Sequence, residues 1–197
     1  SPEIPDDCDL LFLYAPTSDI TDDEKTIIEK YLSDGGKGYL ILGDTTSDTP
    51  NLDGIMSDYG LKKVSGYIAD TQRCYQGNYY AIFPQLSLSG DLGSGISNQM
   101  VLLLNSPGME KTDTDNDNLT VTPFMQTSDS GYAVTENDQT QGQYILGAVS
   151  TNTVFADSSD SDSEDTDDSK DSTETKTASL TVLASASMIS ADITDQL

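Results

Sequence analysis

The sequence predicts an α/β domain with a mainly parallel central sheet and flanking helices, and three stretches near its start carry that prediction. "DLLFLYAP" holds a continuous apolar run, Leu10–Tyr14, stopped by Pro16, the pattern of a strand buried on both faces. "SDITDDEKTIIEKYLSDGG" changes to helical spacing. "GYLILGD" supplies a second buried run, Tyr39–Leu42. Strand, helix and strand in that order form a βαβ unit, which requires parallel pairing and a right-handed crossover.

The helix is marked at both ends. Thr21 and Glu24 have capping-box spacing, and Asp22 and Asp23 favour the positive end of the helix dipole. Ile27, Ile28, Tyr31 and Leu32 share one face, and Gly35 or Gly36 ends the helix with a left-handed residue. "NLDGIMSDYG" predicts a second helix, capped by Asn51, with Leu52, Ile55, Met56 and Tyr59 inward and Gly60 as its stop. A strand is expected over Val64–Ile68, then an irregular excursion from Gln72 to Asn98. Met100–Leu104 reads as a buried strand. "LTVTPFMQT", "GQYILGAVS" and "ASLTVLASA" predict three more. Between the last two, Ala156–Thr177 is almost wholly Asp, Ser, Thr and Glu. Such a segment cannot bury enough apolar surface to offset its ordering entropy, so 156–177 is expected to be a disordered acidic insertion within one domain, 1–197.

"DGGKG" within this region raises the question of a phosphate loop. A loop of that kind follows a strand and precedes a helix, so that the helix's first amides meet the phosphates. Here the glycines follow a helix and precede a strand. The dipole at a helix C-terminus repels anions, so the motif reads as a helix stop.

Charge and composition exclude several functions. The chain has 34 acidic and 9 basic residues, a net charge of −25, which opposes binding to nucleic acid or anionic lipid. It contains no histidine, which removes Ser-His and Cys-His nucleophile pairs and histidine metal sites together. Cys8 and Cys74 form no C-x-x-C pair; they read as free thiols, with one disulfide open to them in an oxidising compartment. No apolar run reaches the length of a transmembrane helix, and there is no signal-peptide core. Both ends of the chain read as cut boundaries.

The early residues resemble the GldG-like, gliding-motility-type family of ABC-transporter auxiliary subunits. The resemblance rests on Ala15-Pro16, Ser18, Thr21, Glu24-Lys25, Tyr31-Leu32, Gly35-Gly36 and Asp44, in order, and on "LDGIMSDYGLK". It covers Asp9–Lys62 and returns at Leu180–Ser190, where "LTVLASASMIS" is similar to the family's last strand but carries Ala184, Ser185 and Ser187 in place of Gly and Asp. The resemblance implies a three-layer α/β fold, flavodoxin-like or glutamine-amidotransferase-like, without catalytic activity or resident cofactor. It also implies a place on the extracytoplasmic face of a bacterial cell membrane, anchored by transmembrane segments outside this chain. The implied partners are an ABC permease and an ATPase.

Two candidate sites follow from the residues themselves. In a parallel sheet, ligands bind beyond the carboxyl ends of the strands, which places Pro16, Thr17, Ser18, Asp44, Thr45 and Thr46 along one crevice edge, able to hold a sugar or a peptide. The competing reading is turn and cap chemistry. Asp113, Asp115 and Asp117 stand at positions 1, 3 and 5 of a calcium-loop spacing, but position 6 is Asn118 and position 12 is Phe124. The stretch therefore reads first as a polar turn, and any calcium there is expected to bind in the roughly millimolar class. Tyr79, Tyr80 and Phe83 are expected in the core, or at a partner interface if exposed. An extracytoplasmic carbohydrate- or peptide-binding module and a degenerate amidotransferase-like domain are the alternative functions.

Overall fold

A computed structural model describes residues 3–43, 45, 47–88, 101–155 and 175–189. The βαβ start is present: β1 (Leu11–Tyr14), α1 (Asp22–Ser33) and β2 (Lys37–Ile41), with β1 parallel to β2. The Thr21 hydroxyl accepts from the Glu24 amide at 3.2 Å while the Glu24 carboxylate accepts from the Thr21 amide at 2.8 Å, which completes the capping box. At the other end the Gly36 amide donates to Tyr31 and the Gly35 amide to Leu32, with Gly35 at φ 94°. This is the left-handed stop expected of the paired glycines.

The second helix, α2 (Pro50–Asp58), is capped from outside its own sequence. Asn51 lies inside the helix instead of at its N-cap, and its side chain donates to the Ile20 carbonyl at 2.8 Å, tying α2 to the turn before α1. The Asp19 carboxylate accepts from the amides of Asn51 and Leu52 at 2.8 and 3.1 Å. Leu52, Ile55 and Met56 are buried as their spacing requires. Burial, aided by the charge of Asp58, pushes the Tyr59 phenol up to about 12.

Beyond α2 the chain departs from the predicted fold class. Short strands follow: β3 (Leu61–Lys63), β4 (Tyr67–Asp70), β5 (Cys74–Tyr75), β6 (Asn78–Ile82), β7 (Gln85–Leu86), β8 (Leu103–Leu104), β9 (Met109–Lys111), β10 (Leu119–Gln126), β11 (Gly131–Val134), β12 (Gln139–Gly142), β13 (Ile145–Phe155) and β14 (Thr175–Leu183). Of the described residues 43% are strand and 15% helix, so the domain is mostly β and not a three-layer flavodoxin-like fold. The central sheet runs β1-β2-β14-β13-β10-β7, with β9 on β13 and β3 on β9. Only β1, β2 and β14 are parallel; the β14–β13–β10–β7 part is antiparallel. Two three-stranded antiparallel sheets, β12-β11-β4 and β5-β6-β8, complete the described part.

The physical reason lies in where the helices sit. α1 packs on β14 and on α2, and the residue that ends α2, Gly60, lies against Leu119 and Val121 of β10. Both helices therefore cover the same face of the sheet, the one carrying Leu40, Leu180 and Val182, each at most 2% exposed. Among the described residues no α-helix lies on the other face. There Phe12 and Tyr14 are each more than half exposed, although Ile41 and Leu183 are buried. β1 is thus an edge strand open on one side, and not a strand buried on both faces.

Other expectations shift in detail. The single strand expected over Val64–Ile68 is broken into β3 and β4 by Gly66, at φ 83°, where a Cβ would meet the Val134 carbonyl oxygen at 2.0 Å. The strand expected over Met100–Leu104 is reduced to β8, and Met100 lies outside the described residues. Part of the excursion is the β5–β6 hairpin, on which Tyr79 is half exposed and Tyr80 is 36% exposed, not core. In the acidic stretch, Thr175–Thr177 belong to β14, and the remainder lies outside the described residues. Cys8 and Cys74 are both free thiols.

Candidate functional site

The carboxyl ends of the three parallel strands open into a crevice of about 700 Å³. Ala15-Pro16 follow β1, Leu42-Gly43 follow β2, and Ala184–Ser187 follow β14; all of these line it. Hydrogen bonds hold the three chain exits together, from Ala15 N to Ile41 O, Leu42 N to Leu183 O and Ala184 N to Leu146 O, each 2.9 Å. The exits are close-set, for a Cβ on Gly43 would lie 2.3 Å from the Pro16 carbonyl oxygen. Two residues on the walls, Ala15 at φ 42° and Asn105 at φ 45°, are non-glycine residues in the left-handed region. Such strain persists where the surroundings over-determine the backbone, and it concentrates at binding and catalytic sites.

The polar lining is largely engaged. Lys63 Nζ lies 2.7 Å from Asp53 Oδ1 and donates to Thr49 Oγ1 at 2.7 Å. The Ser185 hydroxyl donates to that of Ser187 at 3.0 Å, and Ser187 Oγ accepts from the Leu104 amide at 3.1 Å, clipping the last turn to β8. Beside the crevice, desolvation pushes the Asp19 carboxyl up, but the amides of Asn51, Leu52 and Ile20, with Lys63, more than offset it and hold it below the usual carboxylate range. The N-terminus of α2 is therefore occupied by this chain's own anion and is not an open anion site.

A second cavity of about 500 Å³ adjoins the first through Gly66, Tyr67 and Asn105, and adds Tyr80, Val134, Thr135 and Glu136. The two form one cleft with tyrosine on its wall. Among the described lining residues the Thr49 hydroxyl stands beside the Lys63 amine, which is also ion-paired with Asp53. The equipment suits hydrogen bonding and ring stacking against a bound molecule.

Of the residues proposed from sequence, Pro16 and Thr45 line the crevice. Thr17 and Ser18 are exposed and lie outside its lining, and Asp44 and Thr46 fall outside the described residues. Asn105, Gly66, Tyr67 and Lys63 were missed. The "LNSPG" turn signal and the isolated Gly in "VSGYI" were the available clues. Asp113, Asp115 and Asp117 are all exposed. Among the described residues no three acids or thiols gather as metal ligands. Their turn is built by Asn116, whose side chain accepts from the Asn118 amide at 3.0 Å and donates to Asn152 at 3.4 Å.

No protein-family model matches the chain, and no curated protein does. Among solved structures it is similar to one titled "mmIFT52 N-terminal domain", with a TM-score of 0.57 and 14% identity over 95% of this chain and 70% of that one. At that identity the likeness speaks for the fold alone. Fold and site together define a class, a mostly β domain with a mixed central sheet and a polar cleft at its parallel corner.

Proposed function

We propose that this chain is a non-enzymatic binding and scaffolding domain whose ligand-accepting surface is the crevice beyond β1, β2 and β14. The observation that carries the reading is the pair of left-handed non-glycine residues, Ala15 and Asn105, on its walls. Asn enters this region readily, so the strain rests on Ala15, which the fold tolerates where a pocket is shaped. The sequence resemblance supplies the setting: the extracytoplasmic module of an ABC-transporter auxiliary subunit, held at the membrane by segments outside this chain and working with a permease and an ATPase. The test is purification of the full-length native protein in mild detergent. Recovery of a permease and an ATPase in stoichiometric amounts is the expected result. A protein that stays solitary through crosslinking sinks the transporter setting.

A second reading, a free-standing carbohydrate- or peptide-binding module, is favoured by Tyr67 and Tyr80 on the adjoining cavity, 43% and 36% exposed. Exposed tyrosines stack on sugar rings and on extended peptides alike. A glycan and peptide screen run with native chain and Asn105→Ala separates the readings, because this one requires a ligand whose binding the substitution weakens.

A further inference from the structure

The central sheet ends differently at its two margins. One end is β7, two residues long, with Gln85 exposed. The other is β1, whose Leu-Phe-Leu-Tyr carries no charge and no proline, and whose register with β2 is unbroken. Charge, proline and bulges are the devices by which edges are normally guarded against pairing. Among the described residues no strand pairs with the outer side of β1.

The direction of the free backbone groups follows from one hydrogen bond. The Ala15 amide donates to Ile41 of β2. Along a strand these groups alternate, so those of Leu11, Leu13 and Ala15 face β2 while those of Phe12 and Tyr14 point to the open margin. The same two residues carry the exposed rings. Phe12 is 51% and Tyr14 55% exposed, and Phe12 stacks on Tyr39 with ring centroids 5.3 Å apart and on Tyr14 at 6.2 Å. Unpaired ladder groups and apolar surface therefore coincide.

Charge selects the occupant. Glu3, Asp6, Asp7 and Asp9 precede the strand and are all exposed, and no Lys or Arg occurs before Lys25. A second copy would bring a further −25 of charge to this acidic margin. We propose that β1 is a strand-addition site for an extended basic segment of another protein. Its backbone pairs with Phe12 and Tyr14, its alternate apolar side chains cover the Phe12–Tyr39–Tyr14 stack, and its Lys or Arg residues meet the acids before β1.

The experiment pans a display library of random peptides, about ten residues long to match a strand, against the 197-residue chain. The double variant Phe12→Ser, Tyr14→Ser serves as counter-selection; both side chains are exposed, so a matching thermal unfolding curve checks that it folds. The expected winners alternate apolar residues with Lys or Arg. A synthetic winner should bind the double variant at least about ten-fold more weakly, lose affinity in high salt, and protect the Phe12 and Tyr14 amides from exchange. The proposal is overturned if no peptide outperforms the counter-selection, if winners are acidic or uncharged, or if the double variant binds them equally well. Sedimentation showing a dimer that the double variant dissociates overturns it too, by making a second copy the occupant.

Discussion

The two faces of the central sheet are built from alternate residues of the same strands, yet they meet different surroundings. In β2 and β14, Leu40 and Val182 sit under the helices, fully buried. One position away, Tyr39 and Thr181 point to the other side and are only partly buried. Helix packing, not strand composition, separates the two faces. On that second face Ile41 and Leu183 are buried while Phe12 and Tyr14 are exposed, so the open surface is confined to its β1 margin.

The largest expected effect tests that contrast directly. Leu40→Ala should cost about 2–5 kcal/mol, because the helices above it cannot collapse into the gap. Tyr39→Ala should cost only about 1 kcal/mol, in keeping with its partial burial. Urea unfolding of the two variants provides the comparison, and equal losses would mean that the second face is covered as well as the first.

Asp70, in β4, sharpens the contrast from outside the central sheet, since it is a fully buried carboxylate held by a network. It accepts from the Ser128 amide and hydroxyl at 2.7 and 2.8 Å, and from the Gln72 and Arg73 amides at 2.9 Å each. Desolvation pushes its carboxyl up, but these donors more than offset that and leave it below the usual carboxylate range. A depressed folded value means that the contribution is complete above the unfolded value of about 4 and is lost as pH falls through the lower folded one. Asp70→Asn turns amide protons toward donors and should cost about 2–3 kcal/mol at neutral pH. Its deficit against the native chain should shrink below about pH 4; a deficit unchanged at pH 3 would contradict this account.

Smaller effects should come from the helix layer's edge and from the open face. Thr21→Ala removes the N-cap of α1 and should lower stability by about 1 kcal/mol, measured by thermal unfolding. Phe12→Ser should change stability by less than about 0.5 kcal/mol, the range of surface substitutions. A large loss there would show that the ring is packed and not offered to a partner.

Most local signals in the sequence were faithful, the N-cap expected at Asn51 being an exception because Asp19 caps α2 from a distant segment. Thr21 with Glu24, the paired glycines after Leu32, and the spacing of Leu52, Ile55 and Met56 all produced the elements they announce. The crevice was partly legible as well, because a strand–helix–strand start fixes where the strand ends lie. Pro16 and Thr45 came from that rule. Asn105 and Tyr67 did not, since they arrive from segments paired with it only in three dimensions.

By itself, then, the sequence determined the βαβ start, both ends of α1, the long strands β10, β13 and β14, and the absence of histidine chemistry. Tertiary structure alone decided that β1 is an edge, that both helices share one face, and that β14 inserts beside β2 while running antiparallel to β13. It also made strands of "QTQG" and "CY", which have no apolar alternation and take their order from the partners to which they hydrogen-bond. The physical reason is that periodicity records how apolar a segment is, while layer and edge depend on which distant segment arrives to cover it.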